Sequence, residues 1–346
     1  MSAARSPSAG FTYREAGVDI DVKTRLLDDV ASAITATHTA DVAAGIGAFA
    51  GAVRLPATAG IIAATTDGVG TKTLLARRLH RDEVIGADIV AHCANDLVAQ
   101  GARPIAFLDY IAMGRLEPPL VATLIRAMAR ACTDVGAVLL GGETAEMPDV
   151  YLDGAYDVVG TMIGTTPSEG LITGAGIAPG HRLIGLASTG PHTNGYSLIR
   201  RVTDALPLDE LRQHDAELGA TPADALLAPH RCYAPVTLSL LSSVRVRGIA
   251  HITGGGLVDN LTRILPDDCQ ARIDSPWPRP PVFGWLQRLG RIPDTDMLAT
   301  FNLGIGMVVV VSPRDVEVTR EHFAASNIPA CDIGAIVEGP KGVIVR

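Results

Sequence analysis

Apolar residues along the chain fall into short, dense runs separated by glycine- and proline-bearing turns. Ile61–Thr66 is an apolar run with threonines, which predicts a buried strand. It breaks at Asp67-Gly-Val-Gly70 and resumes as a helix from Thr71. The same rhythm recurs: a helix over Asp88–Gln100, a strand over Pro104–Met113, an amphipathic helix over Leu120–Asp134 and a strand over Ala137–Leu140. That strand is expected to end at the loop Gly141-Gly-Glu-Thr-Ala-Glu-Met-Pro148, and Tyr156–Gly164 closes the first half. Upstream, Val22–Ile34 reads as a helix ahead of Gly45-Ile-Gly-Ala-Phe-Ala-Gly51, and residues 1–12 read as a flexible terminus.

Thr165–Gly180 is dense in Gly, Pro and Thr, which places a domain boundary near residue 168. Beyond it, Arg182–Ser188 predicts a strand. The turn Thr189-Gly-Pro-His-Thr-Asn-Gly195 leads into a helix from Tyr196. His251-Ile-Thr-Gly-Gly-Gly256 leads into a helix over Leu257–Ile264, and Met307–Val311 predicts a further strand. The fold class is α/β (α+β) with two lobes of similar size, 13–168 and 169–346.

Length agrees with two domains: 346 residues exceed one compact core of ordinary size. A hydrophobic content of 47% against 19% charged marks a folded globular chain. The net charge of -8, without a basic stripe, argues against a nucleic-acid partner. No apolar run reaches the ~18 residues of a membrane span. Five scattered cysteines without C-x-x-C fit a reducing, cytoplasmic setting better than a disulfide or zinc framework.

Several motifs carry candidate chemistry. In Asp67-Gly-Val-Gly-Thr-Lys72, Gly68, Gly70 and Thr71 stand where a helix start offers N–H groups to phosphate. Asp67 is suited to Mg²⁺ and Lys72 to a phosphate charge, although the order is not that of a Walker A loop, and an ordinary tight turn is the plainer alternative. Asp96 follows Asn95 inside an apolar helix, and Asp109 interrupts an apolar strand. Buried acids are costly unless paired or metal-bound. For Asp109 the capped or salt-bridged reading is favoured; for Asp96 the two stand level. Glu143, after Gly141 and Gly142, extends the acidic set toward a metal holding polyphosphate. Gly190, with His192 and Asn194, and Gly254, Gly255 and Gly256, beside His251, form two further anion-ready helix entries. Each brings a histidine able to move a proton near neutrality, against the commoner structural role of a lone histidine. Gly45 and Gly47 are a weaker phosphate-loop signal.

Tyr13–Ile20, Thr66–Lys72, Asn95–Leu97, Phe107–Tyr110, Gly141–Pro148, Gly190–Ser197, His251–Gly256 and Thr300–Met307, taken together, resemble the phosphoribosylformylglycinamidine cyclo-ligase (aminoimidazole ribonucleotide synthetase) family. The chain departs from the family's usual pattern in having no Lys or Arg between Arg25 and Arg54, and in Ala48, Ala50 and Thr65. The resemblance implies an N-terminal domain that pairs across a homodimer into a barrel, and a C-terminal domain forming the other wall of a cleft. It further implies ATP-dependent cyclisation of formylglycinamidine ribonucleotide in purine biosynthesis. ATP and Mg²⁺ are the expected cofactors, with Asp67, Asp96 and Glu143 holding the metal. His251 is expected in proton transfer, with His192 and Asn194 on the substrate. Another ATP-using enzyme of the same superfamily, or a diverged paralogue, is the alternative.

Overall fold

The computed structural model describes residues 29–40, 42–44, 52–53 and 61–346. Residues 1–12, the Tyr13–Ile20 motif, the first part of the Val22–Ile34 helix, and both Gly45 and Gly47 lie outside the described residues. Residues 29–35 are helical, and β1 (Val42–Ala44) pairs antiparallel with β2 (Ala52–Val53).

A mixed four-stranded sheet follows in the order β3-β6-β4-β5, built from β3 (Ile61–Gly68), β4 (Arg103–Met113), β5 (Val138–Glu146) and β6 (Tyr156–Thr166). β4 and β5 are parallel because the 18-residue helix α3 (Pro118–Val135) carries the chain back between them; the other pairs are antiparallel. α1 (Lys72–Leu79) and α2 (Glu83–Ala99) occupy the β3–β4 connection. α2 is apolar nearly all round and is buried accordingly, packing against α3 and against β3 and β6. It begins at Glu83, ahead of the expected Asp88, and its first turn already buries Val84, Ile85 and Gly86.

The second sheet has the order β12-β9-β11-β7-β10-β8 and comprises β7 (Arg182–Ala187), β8 (Gly248–His251), β9 (Cys269–Ile273), β10 (Ile305–Val311), β11 (Ala330–Glu338) and β12 (Gly342–Val345). It is antiparallel except where β12 joins β9. β10, a continuous apolar run, is buried on both faces: Met307, Val309 and Val311 join the larger core, while Val308 and Val310 join a second core with α5 residues Leu257 and Leu261. Here α4 is Tyr196–Thr203 and α5 is Gly256–Ile264. The larger core runs without a break from the first sheet's helices into one face of the second sheet, so the two units share one hydrophobic core.

One element differs from the expectation. β5 does not stop at Leu140 but pairs with β4 through Glu146, so Glu143 belongs to a strand and not to a glycine loop. The backbone hydrogen bonds supplied by the parallel partner outweigh the poor strand propensity of the two glycines.

Candidate functional site

The seam between the two sheets collects the polar groups of both halves. On α2 the residues Asp88, His92, Asn95 and Asp96 form a stripe at a spacing of about one turn, the only polar line on an apolar helix. Each member meets the second half. Asp88 Oδ1 accepts from the backbone N–H of His230 at 2.8 Å. His92 Nδ1 lies 2.7 Å from the Thr193 hydroxyl. Asn95 donates to the Arg231 carbonyl at 2.9 Å and accepts from the Tyr233 N–H at 2.7 Å. Asp96 Oδ1 lies 2.8 Å from His251 Nδ1.

Two acid–imidazole pairs result. Asp67, delivered by the last turn of β3, pairs with His92 Nε2 at 2.8 Å and also accepts from the Gly68 N–H at 2.7 Å. Asp96 pairs with His251 and takes the Thr65 hydroxyl at 3.3 Å on its other oxygen. Both carboxylates keep solvent access, 37% and 31%, while the rings are almost closed off. Burial works to raise both carboxyls, but the hydrogen bonds and charges of His92 and His251 more than offset it, so both lie below the usual range. Burial likewise acts to lower the His92 imidazole, yet its bond to Asp67 raises it on balance. For His251 burial wins over Asp96, and the ring is held below its ordinary value.

His251 and Asp96 open onto a cleft of about 540 Å³ between the domains, lined also by Thr65, Gln100, Asn260 and Arg263. The helix starts of both halves meet nearby: the Thr71 hydroxyl, at the α1 cap, is 3.2 Å from that of Ser197 on α4. The Gly254 loop faces Asn194, whose side-chain oxygen would stand 3.5 Å from a Cβ at Gly254. Gly256 has φ +63°, and a Cβ there would come within 2.0 Å of the Leu298 carbonyl, so this turn admits only glycine. Gly70, also at positive φ, fronts open space, and Gly190 is buried with its carbonyl accepting from Asn302 at 2.9 Å.

Three expectations need correction. Lys72 does not face the cleft. Its side chain is 0% exposed, and its ammonium lies 2.5 Å from Asp88 Oδ2 and donates to the His192 carbonyl at 2.7 Å. Burial pulls this lysine down and Asp88 up, each opposed by the other's charge. His192 is also sealed at 0% exposure, stacked on His230 with ring centroids 4.2 Å apart, and burial depresses it well below the ordinary histidine value. Glu143 does not join Asp67 and Asp96 within the chain: the ladder runs Asp67, Gly160, Asp109, Gly142 across the sheet. Three strand spacings separate the two ends, about 14 Å. Gly142 instead lies against Asp109, whose side-chain oxygen would be 2.3 Å from a Cβ at that position. Asp109 has no ion-pair partner among the described residues, and burial pushes its carboxyl to about 7.

His92 and His230 were not anticipated from the sequence. His230 links the rings, with Nε2 3.1 Å from His251 Nε2 and Nδ1 3.3 Å from the Thr193 hydroxyl. The α2 stripe was the available signal for His92; His230 sits in an extended loop and carries none.

The comparisons agree with this architecture. Residues 37–166 match the family described as AIR synthase related protein, N-terminal domain, and residues 178–346 match its C-terminal domain. Among solved structures, thiamine-monophosphate kinase from Stenotrophomonas maltophilia is similar in fold, with a TM-score of 0.69 at 19% identity over 92% of this chain and 95% of that one. Hydrogenase maturation protein HypE in complex with ATP gives 0.66 at 19% identity, over 93% and 90%. The chain is therefore a two-domain protein of the AIR synthase related class. Closer in sequence are phosphoribosylformylglycinamidine cyclo-ligases. That of Cupriavidus pinatubonensis is 43% identical, covering 96% of this chain and 95% of its own. That of Nitrosococcus oceani is 44% identical over 96% and 93%. The chain belongs to the phosphoribosylformylglycinamidine cyclo-ligase family.

Proposed function

We propose that this chain closes the imidazole ring of purine biosynthesis, converting formylglycinamidine ribonucleotide and ATP to aminoimidazole ribonucleotide, ADP and phosphate. The observation that carries the reading is the Asp96–His251 pair, open on a 540 Å³ interdomain cleft in a chain 43% identical to cyclo-ligases. In the first step the formyl oxygen takes the γ-phosphoryl group and ADP departs. The ring-forming nitrogen then attacks the activated carbon, loses a proton, and expels phosphate. Phosphorylation matters because an amide oxygen is a poor leaving group and phosphate a good one.

His251, kept neutral by burial, is a base at physiological pH, and Asp96 orients it. Asn194 and the Gly254–Gly256 turn bring amide groups toward the same space. Gly68, Gly70 and Thr71 place a helix start on the nucleotide side, and Gly45, Gly47, Gly141, Gly142 and Gly190 complete the proposed backbone contacts. Asp67 and Asp96 would supply the partly exposed oxygen donors that Mg²⁺ accepts, and the ion would neutralise polyphosphate charge there. Glu143 reaches such a site only if a second subunit presents it.

A homodimer would cover Ile62, which is 59% exposed on β3, the edge strand of the first sheet. Residues 13–168 would form the ATP-binding and dimerisation domain, its sheets completing a barrel, with 169–346 the second wall. The proposed enzyme works in the cytoplasm without a nucleic-acid or membrane partner; no helix among the described residues is long and apolar enough to cross a membrane. The test is product formation from purified protein, substrate, ATP and Mg²⁺, with light scattering for a mass twice 36.0 kDa. ATP-dependent appearance of aminoimidazole ribonucleotide is expected; its absence under conditions where a known family member turns over contradicts the reading.

A further inference from the structure

The seam also holds a donor set whose chemistry is not that of a magnesium nucleotide. His92 and Asp96 are four residues apart on α2 and leave one face of the helix together. His251 approaches them from the end of β8, in the other domain. One ligand atom from each of these three side chains lies within 4.8 Å of the other two. We propose that His92, Asp96 and His251 bind a transition-metal dication of the zinc or nickel type, which joins the two domains, takes Asp96 away from the nucleotide's magnesium and occupies the His251 ring that the proposed reaction uses as its base, so that the metal-loaded chain is held inactive.

Ligand chemistry selects the ion. Mg²⁺ prefers oxygen donors throughout, whereas two imidazoles and a carboxylate suit zinc, nickel, cobalt or iron. The rings are held from behind, as metal-bound histidines are. The Thr193 hydroxyl is 2.7 Å from His92 Nδ1, leaving Nε2 for a metal, and His230 is 3.1 Å from His251 Nε2, leaving Nδ1. Both of these free nitrogens now point at carboxylates, His92 at Asp67 and His251 at Asp96. An ion entering there replaces the hydrogen-bonded protons, which leave to solvent, and both rings bind as neutral ligands. Zinc holds nitrogen and oxygen donors at about 2.0–2.2 Å, so adjacent donors stand roughly 3.4 Å apart. Closing from the observed spread takes side-chain rotation of about an ångström.

The test uses the full chain, stripped of metal and titrated with zinc(II) by calorimetry, without and with excess magnesium. X-ray absorption at the zinc edge of the unaltered protein follows. The expected result is one zinc per chain with micromolar or tighter affinity, weakened by magnesium, and imidazole scattering from two histidines. His92→Gln and His251→Gln should each weaken binding by about 100-fold. Zinc held by sulfur scatterers in place of imidazole, an affinity that neither substitution moves, or no binding at micromolar zinc would each overturn the site. The absorption measurement needs no substitution, so it decides the matter even where a variant fails to fold.

Discussion

Two acid–base regions lie within one helix turn of each other on α2, and they differ in one respect. Lys72 and Asp88 are both 0% exposed; the ammonium also donates to the His192 and Ala228 carbonyls and lies over the Tyr196 ring, and Asp88 accepts from the His230 N–H. Asp67–His92 and Asp96–His251 use the same kinds of groups, but their carboxylates remain about a third exposed. A sealed pair is held by geometry alone, and separating its members strands a charge in the interior. An open pair leaves oxygen atoms for a ligand and a neutral ring for a proton. The sealed region therefore clamps the two domains, and the open region is the one equipped for chemistry.

Removing the sealed cation should have the largest effect. Lys72→Met leaves Asp88 unpaired and fully buried, and is expected to cost about 3–5 kcal/mol in denaturant unfolding. A loss below about 1 kcal/mol would show that the pair does not clamp the seam. Removing an open acid should instead spare the fold. Asp67→Asn is expected to lower magnesium-dependent turnover by about 100-fold with the melting temperature nearly unchanged; near-normal turnover would sink its role as a metal ligand.

A smaller effect should follow from pH. His192 and His230 are held well below their ordinary value by burial, so the unfolded chain binds more protons than the folded one below about 6.5. Stability should fall as pH drops through that value. His92 has the opposite sign: raised by Asp67, it adds stability that is complete below about 6.5 and is lost only as pH rises through its higher folded value. Unfolding measured from pH 7.5 to 5.5 should lose about 1–2 kcal/mol, since one pKa unit is worth about 1.4 kcal/mol. His230→Asn should flatten the profile, and an unchanged slope would count against the sealed neutral rings.

The regular elements were legible where pattern and environment agree. β10 reads as a continuous apolar run and is buried on both faces; α3 reads as amphipathic and packs one side. β5 was misread because Gly141 and Gly142 look like a strand end, while the pairing with β4 is a long-range fact. Lys72 was misread for the same kind of reason. Its motif sits at a glycine-bearing strand-to-helix junction that suits phosphate, and only the approach of α2 and the His192 carbonyl shows that the ammonium is already satisfied. His92 was present in the sequence as the middle of a polar stripe, four residues after Asp88 and four before Asp96. His230 depends wholly on tertiary placement.

The account is tested most directly by comparing two histidines that look alike in the sequence, one from each region. His251→Gln and His192→Gln should be purified and measured together for kcat, the KM for ATP, and melting temperature. The open His251 is predicted to lose about 100-fold in kcat with ATP affinity and melting temperature retained. The sealed His192 is predicted to lose thermal stability while its folded fraction turns over near the parent rate. A folded His251→Gln enzyme working at the parent rate, or a fully stable His192→Gln enzyme without activity, would contradict the division between the two regions.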